Sequence, residues 1–413
     1  MRDDRLRRLL EVTVLGAGAL LSAGCGQGRQ PGTGSFSSNL YTSIAIADLN
    51  GDGNLDIASC YTVVSNGSNA HQGTVQVFLQ DPAHRGKFLA PANYPDGNDP
   101  FMIAVADLNG DGEPDIVTAN ATLGTTNPSG LSVLLQSGNG QFLQAVNYST
   151  GTAVNSVAIS DVNGDGRLDL VVADSSGISI LLQNSANPGT FTIASTVSLS
   201  GGASSVVVSE INGDSVPDLV AANATKVLVL LGNAAAPGSF LAAVSYSVGQ
   251  QPVFVAVADL NGDGKPDIAV ADQGLPTTTT GVHVLLQDPS SPGTFEAPVD
   301  YANGSGSTEL VIADIDGDGI LDIAAASSPN VSVLFGSIAL PGSFPTINNY
   351  PGNPGQAPFH QVPPQILWVA MGDIDRDGRP DIVFADDTGV SIRFQDPANP
   401  GRFLSAVTLV SSP

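Results

Sequence analysis

Cysteine is nearly absent: Cys25 and Cys60 are the only two in 413 residues, which rules out a disulfide framework or a thiolate metal site. Positive charge is scarce as well. Fourteen lysines and arginines stand against 39 acids, and the formal charge of −25 argues against nucleic acid or an anionic lipid surface as a partner. Charged residues of both signs make up only 13% of the chain, and long amphipathic helices are hard to find anywhere. What fills the sequence instead is 47 Gly, 28 Pro and many Val, Ile, Leu, Ala, Ser, Thr and Asn, a composition of short strands joined by tight turns.

The first 24 residues read as a signal sequence, with Arg2, Arg5, Arg7 and Arg8 followed by an apolar run over 12–21 that is too short to span a membrane. Residues 21–25, Leu-Ser-Ala-Gly-Cys, resemble a bacterial lipobox, although Ser22 stands where that pattern usually has Leu. The resemblance implies lipidation of Cys25 and an extracytoplasmic, membrane-anchored protein, with simple secretion as the alternative. A polar segment follows, and residues 25–40 are expected to be a flexible tether.

From there on one unit repeats. Asp-x-Asn/Asp-Gly-Asp-Gly-x-x-Asp begins at Asp48, Asp107, Asp161, Asp259, Asp314 and Asp373, with a looser copy at Glu210, and successive starts lie 49 to 59 residues apart. That is the period of a four-stranded blade. A second landmark, Gly-x-Phe, recurs at Phe88, Phe142, Phe191, Phe240, Phe295, Phe344 and Phe403. Six residues beyond it stands Tyr94, Tyr148, Tyr246, Tyr301 or Tyr350, with Val197 and Leu409 in the other two units, a pattern read as packing between blades. In the first unit the spacing predicts strands A to D over 44–47, 56–60, 74–79 and 88–94, and the C-terminal segment 403–410 is the expected outer strand of the seventh. Residues 36–41 are left to patch the seam or stay loose. The inner strands are nearly continuous apolar runs, which one blade cannot bury alone and a ring of seven can. The expected fold is therefore all-β, a seven-bladed propeller over 41–413 with four-stranded antiparallel blades, monomeric, and with the acidic loops between strands A and B.

Each acidic loop places oxygens at positions 1, 3, 5 and 9, a backbone carbonyl at 7 and a glycine at 6, the wrap that calcium requires. The sets are Asp48, Asn50, Asp52, Asn54 and Asp56; Asp107, Asn109, Asp111, Glu113 and Asp115; and Asp161, Asn163, Asp165, Arg167 and Asp169. They continue with Asp259, Asn261, Asp263, Lys265 and Asp267; Asp314, Asp316, Asp318, Ile320 and Asp322; and Asp373, Asp375, Asp377, Arg379 and Asp381. Position 7 varies because only its carbonyl is needed. The fourth unit has Glu210, Asn212, Asp214 and Asp218 but carries Ser215 in place of the glycine, so it is expected to bind weakly or not at all. An EF-hand needs a bidentate Glu at position 12 and flanking helices. Here position 12 is Ser59, Thr118, Val172, Val270, Ala325 or Phe384, which excludes it.

This order of apolar strand, acidic loop, apolar strand and Gly-x-Phe resembles the FG-GAP or VCBS repeat family, which includes integrin-type propellers. The resemblance implies about six or seven structural Ca2+ ions and a role in adhesion or in carbohydrate recognition.

In such a blade the A-to-B and C-to-D turns share one rim, and the B-to-C and D-to-next-A connections share the other. Insertions over 61–73, 120–130 and 273–281 and the long link over 352–367 all fall on the rim opposite the acidic loops, where repeat proteins commonly build a binding face. They carry no Asp, Glu, Lys or Arg, which leaves little for acid or base catalysis. His71, His360 and nearby Trp368 are the candidate ligand contacts, His84 falls on the acidic rim, and His283 reads as a surface strand residue. The sequence thus points to a binding module for a glycan or protein and not an enzyme. The alternative is a polysaccharide-active lyase or hydrolase built on a propeller.

Overall fold

The computed structural model describes residues 37–65, 72–96, 100–120, 130–150, 153–274, 281–352, 365–386 and 389–411. Blade one consists of β1 (Ser37–Ala47), β2 (Asp56–Ser65), β3 (Gln72–Phe78) and β4 (Ala92–Pro95). Blade two has β5 (Pro100–Ala106), β6 (Asp115–Asn120), β7 (Gly130–Leu134) and β8 (Val146–Ser149), and blade three has β9 (Val154–Ser160), β10 (Asp169–Asp174), β11 (Gly177–Gln183) and β12 (Phe191–Ser198). Blade four follows with β13 (Ser205–Ser209), β14 (Asp218–Asn223), β15 (Lys226–Leu230) and β16 (Val244–Ser247). Blade five is β17 (Pro252–Ala258), β18 (Asp267–Asp272), β19 (Val282–Leu285) and β20 (Val299–Tyr301). Blade six is β21 (Glu309–Ala313), β22 (Asp322–Ser327), β23 (Asn330–Phe335) and β24 (Thr346–Pro351), and blade seven is β25 (Ile366–Gly372), β26 (Asp381–Asp386), β27 (Gly389–Arg393) and β28 (Val407–Ser411). Each blade is one four-stranded sheet with its strands in chain order, all antiparallel. Among the described residues no helix is long and apolar enough to cross a membrane.

The first strand of every blade touches the first strand of the next, and β25 touches β1. The chain is a seven-bladed β-propeller. β28 forms the outer edge of blade seven, so among the described residues no strand is exchanged across the seam and the ring closes by side-chain packing. The innermost strand is longer than expected. β1 reaches back to Ser37, with Ser37 opposite Ser65 and Leu40 opposite Thr62, so residues 37–40 are paired strand and not tether. The outer strand is shorter: in blade one only Ala92–Pro95 is continuous, while Phe88 makes an isolated bridge to Gln80.

Burial explains the composition of the strands. The second strand of blades two to seven, for example Asp-Ile-Val-Phe-Ala-Asp in β26, is buried at all six positions because neighbouring blades cover both of its faces. Full burial of each Ile, Leu or Val in these runs contributes about 1.5–3 kcal/mol. The outer strands are half exposed and polar, as in Val-Asn-Tyr-Ser of β8.

The aromatic landmarks interlock the blades. Tyr94 of blade one meets Phe142 of blade two edge-to-face at 5.4 Å, and Tyr148–Phe191, Tyr246–Phe295, Tyr301–Phe344 and Tyr350–Phe403 repeat the contact at 5.1–5.9 Å. Val197 and Phe240 pack against one hydrophobic cluster, and Leu409 and Phe88 against another that spans the seam. The glycine of each Gly-x-Phe is needed where the turn abuts the preceding blade. At Gly401 φ is +73°, and a Cβ there would lie 2.8 Å from Phe335 and 3.0 Å from the Cβ of Asp316 in the acidic loop of blade six. The two sequence landmarks meet in space.

Candidate metal centres

Every acidic loop folds around its own carboxylates. In blade one Asp48 accepts the N–H groups of Asp52 (3.1 Å) and Gly53 (2.8 Å), and Asp52 accepts that of Asn54 (2.7 Å). Equivalent bonds to position 5 from the N–H of position 7 recur in all seven loops. The carboxylate at position 9 lies underneath: it accepts the position 2 N–H at 2.8–3.2 Å and, from the end of the third strand, a second N–H at 2.6–2.8 Å. Asp56, Asp115, Asp169, Asp218, Asp267, Asp322 and Asp381 are thus almost fully buried and fixed by backbone on both oxygens.

Negative charge accumulates above this floor. Burial, reinforced by nearby acids, pushes Asp56, Asp322 and Asp381 up to about 7 and Asp115 and Asp267 up to about 6, against the backbone bonds that favour the ionised form. Asp169 and Asp218 are raised for the same reason. Where position 3 is Asn50, Asn109, Asn163 or Asn212, its amide donates to the position 5 carboxylate. Blades six and seven have Asp316 and Asp375 there, which cannot donate, and burial raises both. Carboxylate oxygens of Asp314, Asp316 and Asp322, and of Asp373, Asp375 and Asp377, come within 4.8 Å of one another.

The FG-GAP-like repeat model matches residues 62–118, 121–172, 161–221 and 210–270, about half the chain. The chain belongs to this family. No curated protein matches it in sequence. Solved structures share the fold at low identity. A lectin of Agrocybe aegerita that recognises non-reducing terminal N-acetylglucosamine aligns with a TM-score of 0.51 at 20% identity, covering 76% of this chain and 80% of the lectin. A Lactobacillus plantarum protein aligns at 0.51 with 13% identity over 91% and 98% of the two chains, and BBS1N, solved in complex with ARL6DN, at 0.53 with 14% identity over 88% and 97%.

Within these FG-GAP-like repeats the fourth loop keeps its shape despite its changes. Glu210 accepts the N–H groups of Gly213 and Asp214 on a single oxygen, and Ser215 takes the left-handed φ of +64° that glycine has elsewhere. Arg376, at position 4 in blade seven, also adopts a left-handed φ, of +58°. Its guanidinium reaches across the seam, so close to Gly53 of blade one that a Cβ there would lie 2.9 Å away.

A glutamine at the end of the third strand ties neighbouring repeats together. Gln80 Nε2 donates to Leu55 O of its own loop and to Ile374 O of blade seven; Gln183, Gln287 and Gln395 reach Leu108, Ile211 and Ile315 of the preceding loops in the same way. Gln136 holds its own Pro114 O, and Gly232 and Gly336 occupy the position in blades four and six. The recurrence of Gln just before Gly-x-Phe is the sequence signal of this clamp, although spacing alone does not reveal its partner.

The other candidate residues fare differently. Cys25, His71 and His360 lie outside the described residues, as do most positions of the four insertions. Trp368 does not line a ligand face: it is 3% exposed in β25, packed in the cluster that contains Tyr41 and Tyr61. His84 is exposed on the acidic rim beside Asp81, at 2.8 Å. His283 is not a surface residue. It is 1% exposed between Asp272 and Asp300, because blade four covers the face of β19 that an isolated strand would turn to solvent.

Proposed function

We propose that this FG-GAP-like propeller is a calcium-stabilised, extracytoplasmic binding or adhesion module that presents a glycan or protein site on the rim opposite its acidic loops. The observation that carries the calcium reading is the buried position 9 carboxylate, fixed by backbone in all seven loops, together with the carboxylate oxygens that gather within 4.8 Å of one another in the loops of blades six and seven. The donors are carboxylates, an Asn amide oxygen and a backbone carbonyl, all hard oxygens suited to calcium. Asp48, Asn50, Asp52, the Asn54 carbonyl and Asp56 would hold the ion in blade one, with their counterparts in the other blades. When bound, the ion would supply positive charge among the carboxylates, which among the described residues only Arg167 and Arg379 offset by pairing with Asp165 and Asp377. Its role is structural, since the same loops are wedged against the Gly-x-Phe turn and, in several blades, the glutamine clamp of the next blade.

The opposite rim is the proposed ligand face because the chain enters the inserted segments from the ends of β2, β6, β18 and β24 on that side, and the likeness to a lectin is consistent with a sugar ligand. The low charge of the inserted segments favours binding over acid–base catalysis. Cys25 is the proposed lipid anchor. A glycan and envelope-protein binding screen in calcium, with chelator as control, tests the whole reading. Saturable binding without product supports it; turnover on a polysaccharide panel would replace it with a lyase or hydrolase.

A further inference from the structure

Near the rim opposite the acidic loops, blades one, two and six carry a polar rung of neutral side chains across their outer strands. Asn120 donates to Ser132 and Ser132 to Asn147, both at 2.7 Å, in blade two; Gln76 donates to Asn93 in blade one, and Ser332 meets Asn349 in blade six. Blade five is different. His283 of β19 lies with Nδ1 2.6 Å from Asp300 Oδ1 of β20 and Nε2 3.1 Å from Asp272 Oδ2 of β18.

Asp272 is itself fully buried and also accepts the N–H groups of Gln250 (2.6 Å), Gln251 (2.9 Å) and Gly274 (2.6 Å). One cluster therefore joins three strands of blade five, the chain arriving from blade four and the start of the 273–281 insertion. A neutral imidazole donates through one nitrogen only, whereas both nitrogens here face carboxylates, which accept when ionised. Two simultaneous bonds need the imidazolium. The charged groups touching it are Asp272 from β18 and Asp300 from β20; the link over 249–251 contributes backbone and two glutamines.

We propose that Asp272, His283 and Asp300 form a proton-dependent latch that holds the blade-five sector of the opposite rim in one conformation and releases it when the imidazole loses its proton. Burial alone would lower the His283 pKa, but the two carboxylates outweigh it and raise the value above the ordinary 6.5. The stabilisation is thus fully present below that ordinary value and lost as pH rises through the raised one. Any effect on ligand binding rests on the proposed opposite-rim site; the latch itself does not.

The test uses the protein in saturating calcium and without ligand, with His71, His84 and His360 replaced by Gln so that one imidazole remains. Nitrogen NMR is expected to find both ring nitrogens protonated at about pH 6.5, and amide exchange protection at Gln250, Gln251 and Gly274 to fall about tenfold more than at blade-six amides once the ring deprotonates. In His283→Gln, which imitates the neutral rung of blade one, that extra fall should vanish. A ring already neutral at about pH 6.5, or equal loss of protection in blades five and six, would overturn the latch. Either result is read without ligand, so it is separate from any failure of the opposite-rim reading.

Discussion

Blade four and blade seven fold their acidic loops alike while enclosing different charge. Both fix a buried aspartate, Asp218 or Asp381, between two backbone N–H groups, and both place a non-glycine residue in the left-handed region. Blade four has Asn212 to donate to Asp214, whereas blade seven has a further carboxylate, Asp375, beside Asp373 and Asp377, and there it is Arg379 that donates to Asp377, at 3.0 Å. Loop shape is held by backbone bonds to carboxylates, and under the calcium reading the number of carboxylates in a loop sets how much it gains from a cation. The difference separates what folding alone requires from what calcium would add.

The largest expected effect comes from removing the floor of each loop. Asp381→Ala and Asp218→Ala each leave two buried N–H groups unpaired, so both should lose about 2–4 kcal/mol in urea unfolding with chelator present. Only Asp381→Ala should also lose calcium-dependent stabilisation, of up to about 1.4 kcal/mol per site in millimolar calcium. Equal calcium responses in the two variants would break the comparison. Next, Gln80→Ala should cost about 1–2 kcal/mol by releasing the carbonyls of Leu55 and Ile374 at the seam, measured in the same unfolding experiment.

A pH series sharpens the contrast further. The position 9 aspartates have folded pKa values raised above the ordinary 3.8, to about 7 for Asp56, Asp322 and Asp381, so in chelator their contribution is fully present below about 4 and lost as pH rises through about 7. Calcium favours the ionised form and should reverse the trend. Melting temperature should therefore rise on acidification toward about pH 5 without calcium, while the increment given by calcium shrinks. The smallest effect concerns Ser215→Gly, which relieves a left-handed serine and should stabilise blade four by no more than about 1 kcal/mol. Alone it should leave the bound-ion count unchanged; together with Glu210→Asp it should strengthen binding at that loop in calorimetry.

The ring and its loops were legible because seven copies in register turn each weak local signal into a spacing, and Asp, Gly and Phe recur where turn geometry demands them. Exposure was less legible. His283 stands in a strand whose alternation suggests a solvent face, but in a ring that face belongs to the neighbouring blade; Trp368, next to the 352–367 link in sequence, is buried by the first blade in the same way. Alternation reports which residues share a face, not whether another blade covers it. The glutamine clamp is not legible in the sequence because Gln is common on surfaces, and only the register of adjacent blades brings Gln80 to Ile374. The extra strand length at Ser37–Leu40 depends on pairing with residues 62–65, a contact that local pattern does not encode.

The most direct measurement is a melting curve of the protein in EGTA and in millimolar calcium, paired with calorimetric titration of the metal-free protein. Six or seven ions bound, with a clear rise in melting temperature, is the predicted result. Identical melting curves and no heat of binding would mean that the acidic loops are turns held by hydrogen bonds alone.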